Sequence, residues 1–498
     1  MDALAQLKEL TAEIIDLRAA QGLLGWDLET YMPPEGAETR AHQRSTLAKL
    51  SHQMLTSETM GNLLKTLRKQ KLDRIDQALV REVAKEYDRE TKIPVKLVQE
   101  MTEVTAKAHP IWVSARKDNK FSNFAPVLEK IIDLNRQTTK VIGYQDSPYN
   151  ALLDLYEPTL TVKQTDTLFS ALKKDLVPLV KAIQESPKKP DAGFLRNKTY
   201  PEDKQWEFTI TVLEAMGFDF ARGRQDKAAH PFTMGMSSRD VRLTTRVFKT
   251  DIVSALFSSL HEGGHGLYEQ GVDPALARTF LDGGVSLGIH ESQSRLWENL
   301  VGRSKAFWTY FYPKLKKLFP KPLDGITMQQ FYKAINTVEP SFIRVEADEV
   351  TYNLHIMLRY EIEKALIEGD LKVKDIPAVW NKNMKSYLGI TPPSDTLGCL
   401  QDVHWSHGSF GYFPTYTLGN LHSVQFFNTA KKQVKSLEDQ IAKGKLLPLK
   451  NWLNQEIHHH GHVELPDELS RRVTGEPLNS RYFVEYLWAK YGEIYGIK

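Results

Sequence analysis

The sequence predicts a mostly α-helical fold, one large body with room for two lobes around a groove. Three observations carry this. Apolar residues recur every three to four positions over long stretches, β-type alternation is rare, and the loops are short with no low-complexity linker. The first helix is marked by Leu4, Leu7, Leu10, Ile14 and Leu17. The same period runs through much of 72–140, where Arg81, Lys85, Glu86 and Asp88 fill the other faces. Pro and Gly place loops at Ser186 to Asp203, Pro313 to Gly325 and Gly389 to Gly398. The best strand is 240–246, whose alternation sends Val241 and Leu243 to the core and Arg242 and Thr244 to the opposite face. With no repeat and no linker, 1–498 reads as a single domain.

The composition is that of an ordinary globular protein, 41% hydrophobic and 26% charged. A net charge of +3 over 498 residues gives no reason to expect nucleic acid or a membrane as partner. The lone Cys399 excludes an internal disulfide and suits a reducing, cytoplasmic setting. Met1-Asp2-Ala3-Leu4 opens no secretory signal, and no apolar run approaches the roughly 20 residues of a membrane span.

The chemistry concentrates in His261-Glu262-Gly263-Gly264-His265. Asp251 can cap a helix with apolar positions Val253, Leu256, Phe257, Leu260 and Leu267, and Gly271 can stop it. Residues four apart on a helix lie about 40° apart in azimuth and one turn apart in height, so His261 and His265 can share one metal ion. Glu262 then sits close enough to a water on that ion to act as general base without being a ligand. A chance match or an exposed histidine pair is the duller account, and the apolar flanks argue against both. Gly263 and Gly264 each cost about 1 kcal/mol relative to alanine inside a helix. Their pairing suggests that another backbone, or a residue bearing a ligand, lies against the helix there.

A catalytic zinc usually takes a third protein ligand and keeps one position open. The next candidates are His290 and Glu291 in His290-Glu291-Ser292-Gln293-Ser294-Arg295, with Glu291 favoured. Glu291 and Arg295 also have the spacing of an ordinary helical ion pair.

At this point the chain resembles, over essentially its whole length, the M32 metallocarboxypeptidases of the carboxypeptidase Taq type. Six motifs in order carry the resemblance: His230-Pro231-Phe232; Asp240 to Thr244 (DxRxT); His261 to His265 (HExxH); His290 to Gln293 (HES/GQ); Ile343 to Asp348 (I/VRxxAD); and Gly398 to Trp405 (GxxQDxHW). The resemblance implies His261, His265 and Glu291 as metal ligands, one zinc per chain with cobalt able to substitute, and a homodimer. It further implies a helical fold with a small β-sheet beside the HExxH helix and a deep active-site groove. The implied activity is removal of single residues from peptide C-termini with broad preference, a metal-bound water being the nucleophile and Glu262 the general base.

Further residues follow from what such a reaction needs. A free C-terminal carboxylate calls for a bidentate arginine. Arg344 is favoured, read as starting a long helix and otherwise pairing with Glu346 or Asp348, and Arg242 and Arg246 compete with it. His404, Tyr412 and Tyr416 are candidate donors to the oxyanion, or else core aromatics. His230, Asp240 and Arg242 join Arg344, His404 and Tyr412 as substrate-binding candidates through their motifs. The 240–246 strand could pair with an extended peptide, and Trp26 to Pro34 could line the groove. His458-His459-His460 and His462 read as exposed or partly structural, and Cys399 as a buried small residue. The rival readings are a zinc oligoendopeptidase and a peptide-binding protein without activity.

Overall fold

The computed structural model describes residues 2–497, and the chain falls into two compact units. The first comprises Met1–Glu90, Asp191–Ile335 and His422–Leu478; the second comprises Thr91–Pro190, Asn336–Leu421 and Asn479–Lys498. Both are built chiefly of helices.

The first unit opens with helix Ala3–Thr30, capped by Asp2, whose Oδ1 accepts from the Ala5 N–H at 2.7 Å. Its Leu7 and Ile14 are buried against Leu64, Leu79 and Val83 from Glu58–Leu67 and Arg74–Lys92, as the apolar period requires. Three strands follow: β1 (Gly223–Lys227), β2 (Thr233–Ser237) and β3 (Asp240–Thr245), in the order β1-β3-β2. β3 runs parallel to β1 and antiparallel to β2, with a register irregularity between Gly235 and Ser237. The sheet lies beside helix Ile252–Gly271: Thr245 Oγ1 donates to the Ala255 carbonyl at 3.1 Å, and a Cβ on Gly266 would stand 2.7 Å from Leu243.

The second unit holds the long helices Val95–Lys117, Phe121–Ile142, Val162–Glu185, Tyr352–Glu368, Ile376–Leu388 and Arg481–Tyr495. Its interior includes Glu363, whose carboxylate accepts from Tyr149 Oη (2.6 Å), Trp405 Nε1 (2.8 Å) and the Gly411 N–H (2.9 Å). Burial pushes this carboxyl up to about 7.

The structure corrects four expectations. β3 is the central strand, so both its edges are already paired and the 240–246 segment has no edge to offer a peptide. Thr244 is buried like Val241 and Leu243, because the backbone of Phe232 crosses it and exchanges hydrogen bonds with its hydroxyl. Pro313 lies inside helix Lys305–Leu318, where burial of Phe307, Trp308, Phe311 and Leu315 outweighs the lost hydrogen bond. Arg344 sits on the short turn Arg344–Glu346, and the long helix begins at Tyr352.

Candidate active site

The metal-motif helix Ile252–Gly271 starts where the sequence places it, with Asp251 Oδ1 accepting from the N–H groups of Val253 (2.9 Å) and Ser254 (3.0 Å). Its neighbour is helix Leu287–Arg295, capped by Ser286. The two glycines explain how these helices meet. A Cβ on Gly264 would lie 2.6 Å from both the Gln293 carbonyl oxygen and Ser294 Cα, and one on Gly263 would lie 2.6 Å from Leu213 Cδ2. Gly264 therefore seats the backbone of the helix that carries Glu291, and Gly263 seats helix Glu202–Met216. Close approach compensates the helix propensity that both positions give up.

That approach brings His261, His265 and Glu291 together, with one ligand atom from each within 4.8 Å of the others. Glu291 Oε2 stands 3.7 Å from His261 Nε2 and 3.5 Å from His265 Nε2. Metal–nitrogen bonds of about 2.0–2.1 Å in tetrahedral geometry would set such atoms about 3.3–3.4 Å apart, so the donor set fits a divalent ion. Among the described residues it is the one group of three or more such side chains that could hold a metal. His290, the competing candidate, faces the other way: its Nδ1 lies 2.5 Å from His265 Nδ1 and its Nε2 lies 2.6 Å from Glu269 Oε1.

His261 and His265 are thus each held through Nδ1 while Nε2 faces Glu291. His261 Nδ1 meets Glu298 Oε2 at 3.0 Å, and His265 is backed by the His290–Glu269 pair. This is the usual arrangement behind metal-binding imidazoles. Glu298 lies on a π-helical turn, Leu296–Val301, that continues helix Leu287–Arg295. Arg295 Nε donates to Glu291 Oε1 at 2.7 Å and its Nη1 to Glu298 Oε2 at 3.0 Å. Burial pushes the Glu291 carboxyl up, but Arg295, His261 and His265 outweigh it and hold the group well below the usual carboxylate range. Burial drives His265 down to about 3, which keeps its imidazole neutral.

Glu262 is buried beside this cluster, and burial raises its carboxyl above the ordinary value. Thr233 Oγ1, on β2, lies 2.6 Å from Glu262 Oε2 and 3.0 Å from the Glu262 carbonyl. Asp240 and Arg242 pair bidentately at 2.9 Å, and the Arg242 guanidinium stacks 4.4 Å from the Trp26 ring. His230 is exposed in the loop between β1 and β2, and Arg246 is exposed and bonded to the Ala229 carbonyl.

The second unit assembles the remaining two motifs around Arg344. Its Nε and Nη2 each lie 2.9 Å from Asp402 Oδ1, its Nη1 donates to Tyr352 Oη at 2.9 Å, and its backbone N–H donates to Gln401 Oε1 at 2.8 Å. The partner is thus Asp402, and neither Glu346 nor Asp348. Asp348 is occupied in accepting from the N–H groups of Glu339, Val350 and Thr351. The other Asp402 oxygen takes Arg359 at 2.6 Å. Rings of Phe413 and Tyr416 lie 5.5 and 5.2 Å from the Arg344 guanidinium. His404 packs 4.5 Å from Phe413 and 5.4 Å from Tyr412, and burial lowers its imidazole to about 4.

Several of these residues escaped the sequence reading. Thr233 directly follows the His230-Pro231-Phe232 motif. Glu298 completes a 291, 295, 298 helical stripe with alternating charge, which is the signal that could have found it. Arg359 carries no comparable mark. Of the histidine run, His458 is buried, its Nε2 2.9 Å from Gln293 Oε1, whereas His459 is exposed opposite Asp273. Cys399 is buried as expected.

The chain is similar to known proteins over nearly its whole length. The carboxypeptidase Taq (M32) metallopeptidase profile matches residues 6–491. Carboxypeptidase 1 of Bacillus subtilis is 41% identical over 98% of this chain and 97% of its own. Thermostable carboxypeptidase 1 of Thermus thermophilus is 40% identical over 99% of each chain. The crystal structure of the M32 carboxypeptidase from Deinococcus radiodurans superposes with a TM-score of 0.97 at 40% identity, covering 99% of both chains. A structure of Pyrococcus furiosus carboxypeptidase gives 0.96 at 39% identity, again over 99% of both. This chain is a member of the carboxypeptidase Taq (M32) family, a metal-dependent carboxypeptidase by descent, with a cluster of side chains that could hold the ion.

Proposed function

We propose that the ion is zinc, held by His261, His265 and Glu291, that cobalt can replace it, and that Glu262 is the general base in removing single C-terminal residues from peptides. The observation that carries this is the convergence of two Nε2 atoms and one carboxylate oxygen beside a buried glutamate. A divalent ion held there acidifies a water molecule and polarises the carbonyl of the bond to be cut. Glu262, with Oε2 engaged by Thr233, takes the water's proton on Oε1 and delivers it to the leaving amine nitrogen.

Arg344 is the proposed receptor for the terminal carboxylate. Two guanidiniums on Asp402 leave their cluster cationic, and three of the five N–H directions of Arg344 are committed, to Asp402 and Tyr352. His404, Tyr412 and Tyr416 are proposed as donors to the oxyanion. His230, Asp240 and Arg242 are proposed to contact the peptide, with Asp240 fixing the Arg242 fork. The enzyme is proposed to act on peptides with a free C-terminus, as a homodimer in the cytoplasm, without nucleic-acid or membrane partners. No helix among the described residues is long and apolar enough to cross a membrane.

The test is mass spectrometry of a peptide mixture over time, with Glu262→Gln as control. A ladder of single C-terminal losses is expected, abolished by chelation and restored by zinc or cobalt. Full-rate cleavage of C-terminally amidated peptides would overturn the exopeptidase reading.

A further inference from the structure

We infer that Arg295 is a positioning residue that restricts Glu291 to binding the metal through one oxygen, and so keeps a coordination position open for water and substrate. The inference rests on His261, His265 and Glu291 being the ligands. Carboxylates bind divalent ions through one oxygen or both, and nothing about Glu291 itself selects between these. Its surroundings do. Oε1 receives the Arg295 Nε–H at 2.7 Å, whereas Oε2 is the oxygen that faces His261 Nε2 and His265 Nε2 at 3.7 and 3.5 Å. Ser294 Oγ stands 3.4 Å from Oε2, with the Glu291 carbonyl nearer at 2.7 Å, so it competes weakly for that oxygen.

The guanidinium cannot swing away cheaply. Its Nη1 is bound to Glu298 Oε2 at 3.0 Å, and that same oxygen meets His261 Nδ1 at 3.0 Å. Arg303 lies 3.6 Å from the other Glu298 oxygen. One planar cation therefore ties a ligand carboxylate to the carboxylate behind a ligand imidazole. The π-helical turn Leu296–Val301 begins directly after Arg295 and carries Glu298. A residue in a helix interior with its fork committed at both ends is pre-organised, and lysine, with a single Nζ, cannot reproduce this.

The role predicts a separation that a merely structural arginine would not give. Zinc-loaded Arg295→Met is expected to gain one oxygen neighbour at the metal in X-ray absorption, as Glu291 Oε1 joins Oε2. Removing a cation beside a divalent ion does not weaken its attraction, so zinc should bind at least as tightly as in the parent when titrated against a competing chelator. Peptide turnover should nonetheless fall about 10–100-fold, the usual scale for groups behind metal ligands. Arg295→Lys should change both readings in the same sense and less, and it carries the test if the methionine variant does not fold. An unchanged neighbour count in the variants, or zinc lost together with activity, would overturn the inference. His261→Ala provides the separate check: tight zinc binding by that variant would refute the ligand assignment itself.

Discussion

The two units each hold a cluster of buried and half-buried charged side chains, and the clusters are opposite in kind. Around His261 and His265 of the first unit, Glu262, Glu269, Glu291 and Glu298 face Arg295 and Arg303, an excess of two negative charges when the imidazoles are neutral. In the second unit, Arg344 and Arg359 share Asp402, an excess of one positive charge. Uncompensated buried charge is costly. An excess of two negative charges suits a divalent cation, and a single positive excess suits a single carboxylate. The difference teaches that each cluster is incomplete by the charge of what it is proposed to receive.

The comparison can be broken in order of expected effect. Glu262→Gln removes the proposed base and leaves the proposed ligands, so turnover should fall about 10²–10⁴-fold with metal content unchanged by elemental analysis. Asp402→Asn strips the shared counter-charge from two buried arginines, and urea unfolding should show a loss of about 3–5 kcal/mol. An unaltered midpoint would mean the cluster is not electrostatically tight. Arg344→Met should raise KM with kcat less affected and narrow the discrimination between free and amidated C-termini. A charge-assisted hydrogen bond of about 1.5–3 kcal/mol corresponds to roughly 10–100-fold. Chelation should lower the melting point of the parent, since an ion present at 100 times its Kd stabilises by about 2.7 kcal/mol, and Arg344→Met should show the same shift. Thr233→Val should give the smallest effect, a fall in kcat of about tenfold, from a hydrogen bond of roughly 1 kcal/mol or somewhat more to a charged oxygen, with serine restoring it.

The first cluster was largely legible in the sequence because its geometry is local. A four-residue spacing on one helix fixes His261 and His265, and the cost of Gly263-Gly264 signals a close neighbour before that neighbour is known. The identity of that neighbour was not legible, since Gln293 and Ser294 reach Gly264 only through tertiary packing. The second cluster joins residues 58 positions apart, and no local period announces that Arg344 will meet Asp402. The sheet was half visible for a related reason. β3 alternates, whereas β1 (Gly-Arg-Gln-Asp-Lys) and β2 (Thr-Met-Gly-Met-Ser) carry little β-prone pattern and are strands because β3 lies between them.

The π-helical turn at Leu296–Val301 has a consequence for how this region can vary. Such a turn amounts to an α-helix that has taken in one extra residue. Deleting a single residue there would restore ordinary winding and shift the side chains of the turn itself, Glu298 among them, relative to Glu291, while the chain beyond the turn keeps its phase. Substitutions in this stretch change one side chain at a time, but a change of length moves all the side chains of the turn together. The distance between Glu298 and His261 is therefore set by a residue count as much as by residue identity.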